Sequence, residues 1–535
     1  MRRLSINKII LAGAFLVTLA SCAKKLDLFP QNDLTNETTY STPAGYRGVL
    51  AKVYAGLATT GNVGPAGASD IQGLDEGSQS PFIRGFFNCQ ELPTDEAVVA
   101  WNDQTIKDFH NLSWSSADPF LKGMYARPIY NVMVANEYLR ESTPDKLAAR
   151  NITGADATEI QSTRAEVRFL RAFNYWVMMD IFGKSTFIDE TNVVGTTLPG
   201  EKSRTELFSF IEAELKAIET ELKTVKTIEY GRVDQGAAWA LLARMYLNAQ
   251  TYTGTAKWTE AITYAKKVIA GGYSLHTDYS QLFMADNDKR TNEIIYAVNC
   301  DGLHTKSYGN TTFFVHAASG DDYNEFGVGG GWYGYRATKG LADRFTDLSG
   351  ATDKRAMFTT AAFGTSPAQI AISDIGNFAN GLHVKKFRNI RSDGGTVSDV
   401  NRDFADIDFP IFRLSEMYLI YAEAVLRGGT GGDLTTATGY INLIRQRAFG
   451  NTSGNITSGQ LDLPFILDER ARELYWEGHR RTDLIRYNQL TTATYLWPWK
   501  GGIASGTAVD AKYNIFPIPA TNRTANPNLT QNPGY

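Results

Sequence analysis

The stretch GAAWALLARMYLNAQTYTGTAKWTEAITYAKKVIA, residues 236–270, reads as two helices of similar length folded back on each other. Trp258, Ala261, Ile262, Ala265, Val268 and Ile269 recur at helical spacing in its second half, and a Tyr-Thr-Gly turn at 252–254 separates the halves. Alanines stand where two helix axes must come close. The same rhythm extends outward. TRAEVRFLRAFNYWVMMDIFG (163–183) places Phe169, Phe173, Trp176, Val177 and Ile181 on one stripe and ends on Gly183, a helix-stop signal. Leu207, Phe208, Ile211, Leu215 and Ile218 mark another helix, and Leu414–Leu426, a Gly-rich turn and Tyr440–Ala448 form a second pair. Thr42-Pro43 is an N-cap followed by proline in the first turn, ahead of Tyr46, Val49, Leu50, Val53, Tyr54 and Leu57 at helical spacing. A further helix spans Phe120–Arg140, where Pro128 is expected to kink or split it.

Paired helices with short turns resemble tetratricopeptide units, whose repeats stack into a right-handed helical scaffold. Long insertions break the 34-residue period, so an irregular helical domain stays as the alternative. Between residues 273 and 409 the helical rhythm fades. EIIYAV (293–298) and TTFFVHA (311–317) read as short strands among loops rich in Gly, Asp and Asn. Loops this long in a compact chain are functional or disordered, and their aromatic content argues against disorder.

The amino terminus sets the compartment. MRRLSINK carries Arg2, Arg3 and Lys8, and Ile9–Ala20 is a run of mostly apolar residues ending at Ser21 and Cys22. As a helix this run spans about 18 Å, short of the roughly 30 Å hydrocarbon core, so it has the layout of a secretory signal rather than a span. Leu19-Ala20-Ser21-Cys22 resembles a lipoprotein box, in which Cys22 takes the lipid; the alternative is an ordinary signal that happens to contain a cysteine. One acyl chain holds weakly and two hold stably. Residues 23–42, polar and broken by Pro30, read as a tether.

The 535-residue chain has a net charge of −4, or −7 once Arg2, Arg3 and Lys8 leave with the signal, which argues against a nucleic-acid or anionic-lipid partner. Three cysteines, at 22, 89 and 300, build no disulfide framework and no Cys-x-x-Cys pair. The six histidines share no ligand spacing, so no metal site is expected, although a structural calcium stays open. No Gly-x-Ser-x-Gly elbow is present, and GGGWYG (329–334) matches a dinucleotide fingerprint only in its glycines, since no apolar strand precedes it. In DERARELYWEGHRRTDLIRY, Glu469, Glu473 and Glu477 are spaced to line one helical face. Paired carboxylates serve glycoside hydrolysis, but Arg470, Arg472, Arg480, Arg481 and Arg486 nearby would keep them ionised, as helix ion pairs.

Aromatics dominate what is left, with 26 Tyr and 9 Trp in the chain. Trp101, Asn102 and Asp103 fall in one loop-like stretch, with Trp114 further along; Phe313, Phe314, Tyr323, Phe326, Trp332, Tyr333 and Tyr335 fall in another, rich in glycine. A pyranose has an apolar face that lies on such a ring. At roughly 40 Å² per platform a ring supplies about 1 kcal/mol, so three supply about 3, and hydrogen bonds must add the rest to reach millimolar affinity at about 4. The candidate ligand residues are Trp101, Asn102, Asp103, Phe313, Trp332, Tyr333 and Tyr335. No catalytic residue is assigned.

Taken in order, LASC with LDLFPQN after it, RFLRAFNYWVMMDIFG, AAWALLARMYLNA, FRLSEMYLIYAEAVLR with YINLIRQRA, ERARELYWEGHRRTDLIRY and the terminal FPIPATNRTANPNLTQNPGY resemble the SusD/RagB family of outer-membrane lipoproteins. The resemblance implies a signal over 1–21, a tether over 22–42 and one mostly α-helical body over 43–535. That body has tetratricopeptide-like helices at 43–272 and 410–490, a variable ligand region with a few short strands at 273–409, and an extension at 491–535. It also implies a non-catalytic, cofactor-free protein that captures a glycan outside the cell, anchored through Cys22, and delivers it to a SusC-like TonB-dependent transporter. Capture of peptides, a helical glycoside hydrolase and a lid with no ligand of its own are the competing readings. Lys24 and Lys25 precede Asp27 where relatives often carry acidic residues, which bears on display at the outer face.

Overall fold

The computed structural model describes residues 36–65, 69–192, 195, 198–359 and 370–535; the signal, Cys22 and most of the tether lie outside them. Numbering the helices of eight residues or more in chain order gives α1 Pro43–Ala55, α2 Phe82–Gln90, α3 Pro119–Glu141, α4 Gly154–Phe182, α5 Arg204–Ile218, α6 Gln235–Leu247, α7 Trp258–Ile269, α8 Thr311–Ala318, α9 Leu414–Leu426, α10 Leu434–Phe449 and α11 Leu463–Leu474. The fold is mostly helical. None of its described helices is long and apolar enough to cross a membrane.

The opening stretch folds as read. Asp234 caps α6 by accepting from the Ala237 amide, and Gly254, at φ +78°, turns the chain toward α7 after a short helix at Ala249–Thr253. Ala237, Ala238, Ala240 and Ala243 of α6 and Ala261 and Ala265 of α7 are fully buried, which is what close axial approach requires. α7 packs on to α9, and α9 on α10 and α11. Between α9 and α10 the rings of Tyr418 and Tyr440 stack 4.5 Å apart. On the other side, α3 and α4 pack together and α4 continues on to α5. Thr42 caps α1 with Pro43 in the first turn, and Gly183 ends α4 at φ +69°.

One expectation is corrected, and one of two alternatives is excluded. Residues 311–317 are helical, not a strand: the Asn310 side chain accepts from the Thr312 amide, and all of Thr311–Ala318 is buried, so core contacts on every side override the β-rich composition. Pro128 does not split its helix, since α3 runs through it from Pro119 to Glu141 with Asp118 as cap. The bond lost at the proline nitrogen is one among many in a helix held against α2 and α4.

Four short strands matter here. Val98–Val99 (β1) pairs antiparallel with Tyr335–Arg336 (β3), and Ile294–Val298 (β2) pairs antiparallel with Phe409–Arg413 (β4). The second pair is wholly buried and ties the loop-rich region to the α9 block. The strand expected over 293–298 is present as Ile294–Val298.

Candidate functional site

The β1–β3 pair joins the two aromatic stretches. Val98 faces Arg336 and Val99 faces Tyr335, and the Ala100 amide then donates to the Gly334 carbonyl at 2.9 Å. Trp101 is therefore delivered directly to GGGWYG. That segment lies along the end of α8: the amides of Trp332, Tyr333 and Gly334 donate to the carbonyls of His316, Ser319 and Ala317 at 2.8–2.9 Å. Glycine is required in two places. A Cβ at Gly331 would sit 2.3 Å from the Gly320 carbonyl oxygen, and one at Gly334 would sit 2.1 Å from the Trp101 ring.

The indole Nε1–H of Trp101 donates to the Trp332 carbonyl at 3.0 Å, fixing the Trp101 ring to the backbone of a residue 231 positions away in the chain. Both are half-buried. Beneath them lie Phe313 and Tyr335, each only 1% exposed, with ring centroids 4.9 Å apart edge to face. Phe313 is 5.8 Å from Trp101 and 6.3 Å from Trp332, and the Tyr335 hydroxyl donates to Asn88. These two rings are corrected from platforms to foundation, because a ring so enclosed has no face to offer. Phe314, Phe326 and Trp114 are buried as well. Tyr333, at φ +54°, is half-buried beside His383, 6.2 Å between ring centroids. His316 stacks against Trp332 at 4.6 Å, its ring nitrogens 2.6 Å from the Gly330 carbonyl and 3.1 Å from that of Asp403. Burial pushes the His316 imidazole below its usual range.

Sequence reading missed Tyr308. Its ring is 38% exposed, lies 6.3 Å from Trp332 with the planes inclined by 57°, and rests on Phe404 at 5.2 Å. The available signal was KSYGN, a tyrosine followed by glycine in a polar loop. Arg84 was missed too, hidden in an aromatic helix. Its guanidinium sits 4.2 Å over Phe313 and 6.0 Å from the Trp101 ring, donates to the Gly77 carbonyl, and lies 3.7 Å from Asp103. Burial lowers its pKa. Asn102 and Asp103 are exposed at the rim, and Asn102 Oδ1 accepts from Lys107 Nζ at 2.6 Å. Trp101, Trp332 and Tyr308 thus form an arc of rings edged by donors and acceptors. A cavity of about 1050 Å³ lies elsewhere, between α1 and α3.

The chain is 36% identical to the starch-binding protein SusD of Bacteroides thetaiotaomicron, over 97% of its own length and 96% of that protein's. It belongs to the SusD family. The SusD family profile matches residues 365–535, and the SusD-like protein P25 of Formosa agariphila is 24% identical over 99% of this chain and all of that one. Among solved structures, a SusD superfamily protein of Bacteroides vulgatus aligns with a TM-score of 0.69 at 20% identity, covering 92% of this chain and 99% of that chain. Surface glycan-binding protein A of Bacteroides thetaiotaomicron, in complex with laminarihexaose, aligns with a TM-score of 0.67 at 19% identity, covering 91% and 99%. SusD and surface glycan-binding protein A are named as binding proteins rather than enzymes, in line with the sequence reading.

The carboxylate motif of this SusD-family chain is structural. Helix α11 ends at Leu474, so Glu477 leaves the expected helical face, after Trp476 at φ +63°. Glu469, Glu473 and Glu477 are buried and meet arginines from distant segments: Arg355 reaches Glu469 and Glu473, Arg413 reaches Glu473 and Glu477, and Arg447 reaches Glu473. Only Arg472 to Glu469 is a helix-local pair. Arg480, Arg481 and Arg486 serve Asp95, Asp180 and Glu423 instead. Cys89 and Cys300 are both buried and free. Among the described residues no group of His, Cys, Asp and Glu is placed to hold a metal ion.

Proposed function

We propose that this SusD-family chain binds α-glucan chains of the starch type on the Trp101–Trp332–Tyr308 arc and delivers them, without cofactor or bond cleavage, to a SusC-like TonB-dependent transporter in the outer membrane. The carrying observation is the hydrogen bond from the Trp101 indole to the Trp332 backbone, beside which both partly exposed rings rest on the buried Phe313. A flat ribbon cannot lie on both Trp332 and Tyr308, whose planes diverge by 57°, whereas a curved chain turns its sugar faces between them. The name of the 36%-identical relative points to the same polymer. Three rings supply about 3 kcal/mol, so bonds from Arg84, Asn102, Asp103 and Lys107 to hydroxyls are needed to pass millimolar affinity.

Affinity electrophoresis through starch, other glycans and peptide mixtures tests this. Retardation by starch, lost in a Trp101→Ala/Trp332→Ala variant that keeps its fold, is expected. Unchanged retardation of the variant refutes the site, and peptide binding without any glycan refutes the ligand. The proposed anchor is a lipid on Cys22, read by mass spectrometry of the mature amino terminus; a freely secreted, unmodified product refutes it. Co-purification with the transporter barrel tests the partner.

A further inference from the structure

The glucan surface extends past the arc to a fourth ring, we infer, so that a long chain lying over Trp101 continues across Lys107 and Asp374 on to Phe378. The inference rests on the arc reading above and adds a subsite to it. Phe378 is 42% exposed, yet the loop that carries it is firmly built. Arg336, 1% exposed, spends its guanidinium on that loop: Nη1 donates to the carbonyls of Asn377 and Asn380, and Nη2 to that of Ile375 at 2.8 Å. Trp499 Nε1–H adds a bond to the Ile372 carbonyl at 2.7 Å. Ile372 is buried at φ +51°, a strained conformation for a β-branched residue, kept only where its surroundings over-determine it. A segment pinned at four carbonyls keeps its aromatic tip outside the core.

Placement ties this ring to the arc. Arg336 follows Tyr335 in β3, the strand that pairs with the approach to Trp101. A Cβ built on Gly376 would lie 3.7 Å from Lys107 Nζ and 3.4 Å from Asp374 Oδ1, and Lys107 Nζ donates to Asn102 Oδ1 next to Trp101. From Trp101 to the loop that carries Phe378 there thus runs an amide, an ammonium and a carboxylate, groups that bond sugar hydroxyls. A rigid exposed ring gains affinity at little ordering cost.

Isothermal titration of the intact body with maltotriose and with a long amylose fragment tests the subsite. Phe378→Ala is expected to weaken amylose binding about fivefold, one ring's worth of contact, and to leave maltotriose unchanged, while Phe378→Trp keeps amylose affinity. Unaltered amylose affinity in Phe378→Ala, or equal losses for both ligands, overturns the extension while the arc reading stands, provided Trp101→Ala still abolishes binding. Failure of the wild-type chain to bind either glucan refutes the arc and this subsite together.

Discussion

Replacing Glu473 by Gln changes one atom and removes one charge. Glu473 is fully buried, with Oε1 accepting from Arg413 Nη1 at 3.1 Å and Arg447 Nη2 at 2.5 Å, and Oε2 from Arg355 Nη1 at 3.4 Å. Burial by itself raises its pKa, but the Arg447, Arg413 and Arg355 guanidiniums overcome it and hold the carboxyl at about 2, against an ordinary 4.5. At about 1.4 kcal/mol per pKa unit that difference is worth about 3 kcal/mol, within the range for breaking one partner of a buried ion pair. The three arginines come from a loop, from β4 and from α10, so the charge fastens three segments. For a folded body of about 500 residues a loss of about 3 kcal/mol lowers Tm by about 3 °C. Because the folded pKa is depressed, this stabilisation is present above pH 4.5 and is lost as pH falls through about 2. Calorimetry should find Glu473→Gln about 3 °C less stable than wild type at pH 7, with the gap narrowing toward pH 3. A variant as stable as wild type at pH 7, or a gap that ignores pH, would refute the reasoning. Glycan binding should survive at temperatures where the variant is folded.

Trp101→Phe keeps a ring but deletes the bond to the Trp332 carbonyl; at about 1 kcal/mol per such bond, amylose affinity should drop about fivefold by titration, and wild-type affinity would show the bond does not set the arc. Burial depresses His316 below 6.5, so its contribution is complete above pH 6.5 and fades as pH falls through the lowered folded value. Thermal stability should therefore fall as the pH drops below 6.5, and His316→Gln should flatten that part of the stability profile; a profile identical in wild type and variant contradicts this. Glu96 is the opposite case: burial and neighbouring Asp95, against the pull of Arg480, push its carboxyl up to about 8. The folded state keeps a proton the unfolded chain releases, so this stability is present below pH 4.5 and gone above about 8; Glu96→Gln should gain stability on wild type at pH 9, and equal melting there would contradict it.

Helix pairs such as Gln235–Leu247 with Trp258–Ile269 were legible because their signals are local: alanines at the contact, apolar residues at helical spacing and a glycine at the turn. Trp101 was legible only as a ring in a loop-like stretch and Trp332 only as a ring among glycines, and nothing nearby in the chain distinguishes them from Phe313 or Tyr335. Which ring surfaces and which is buried depends on the β1–β3 pairing and the Trp101–Trp332 bond, contacts made across more than two hundred residues, and on how GGGWYG lies along the end of α8. Tyr308 and Arg84 escaped for the same reason, and Thr311–Ala318 was misread because burial on all faces outweighed its own β preference.

Family, helical class and the leader-like first segment were thus within reach of residue order alone, since caps, periodicity and motifs act over a few positions. The arc of rings and the wiring of the buried carboxylates were not. Exposure and ion pairing are properties of surfaces brought together from far along the chain, and they exist only once the chain has folded.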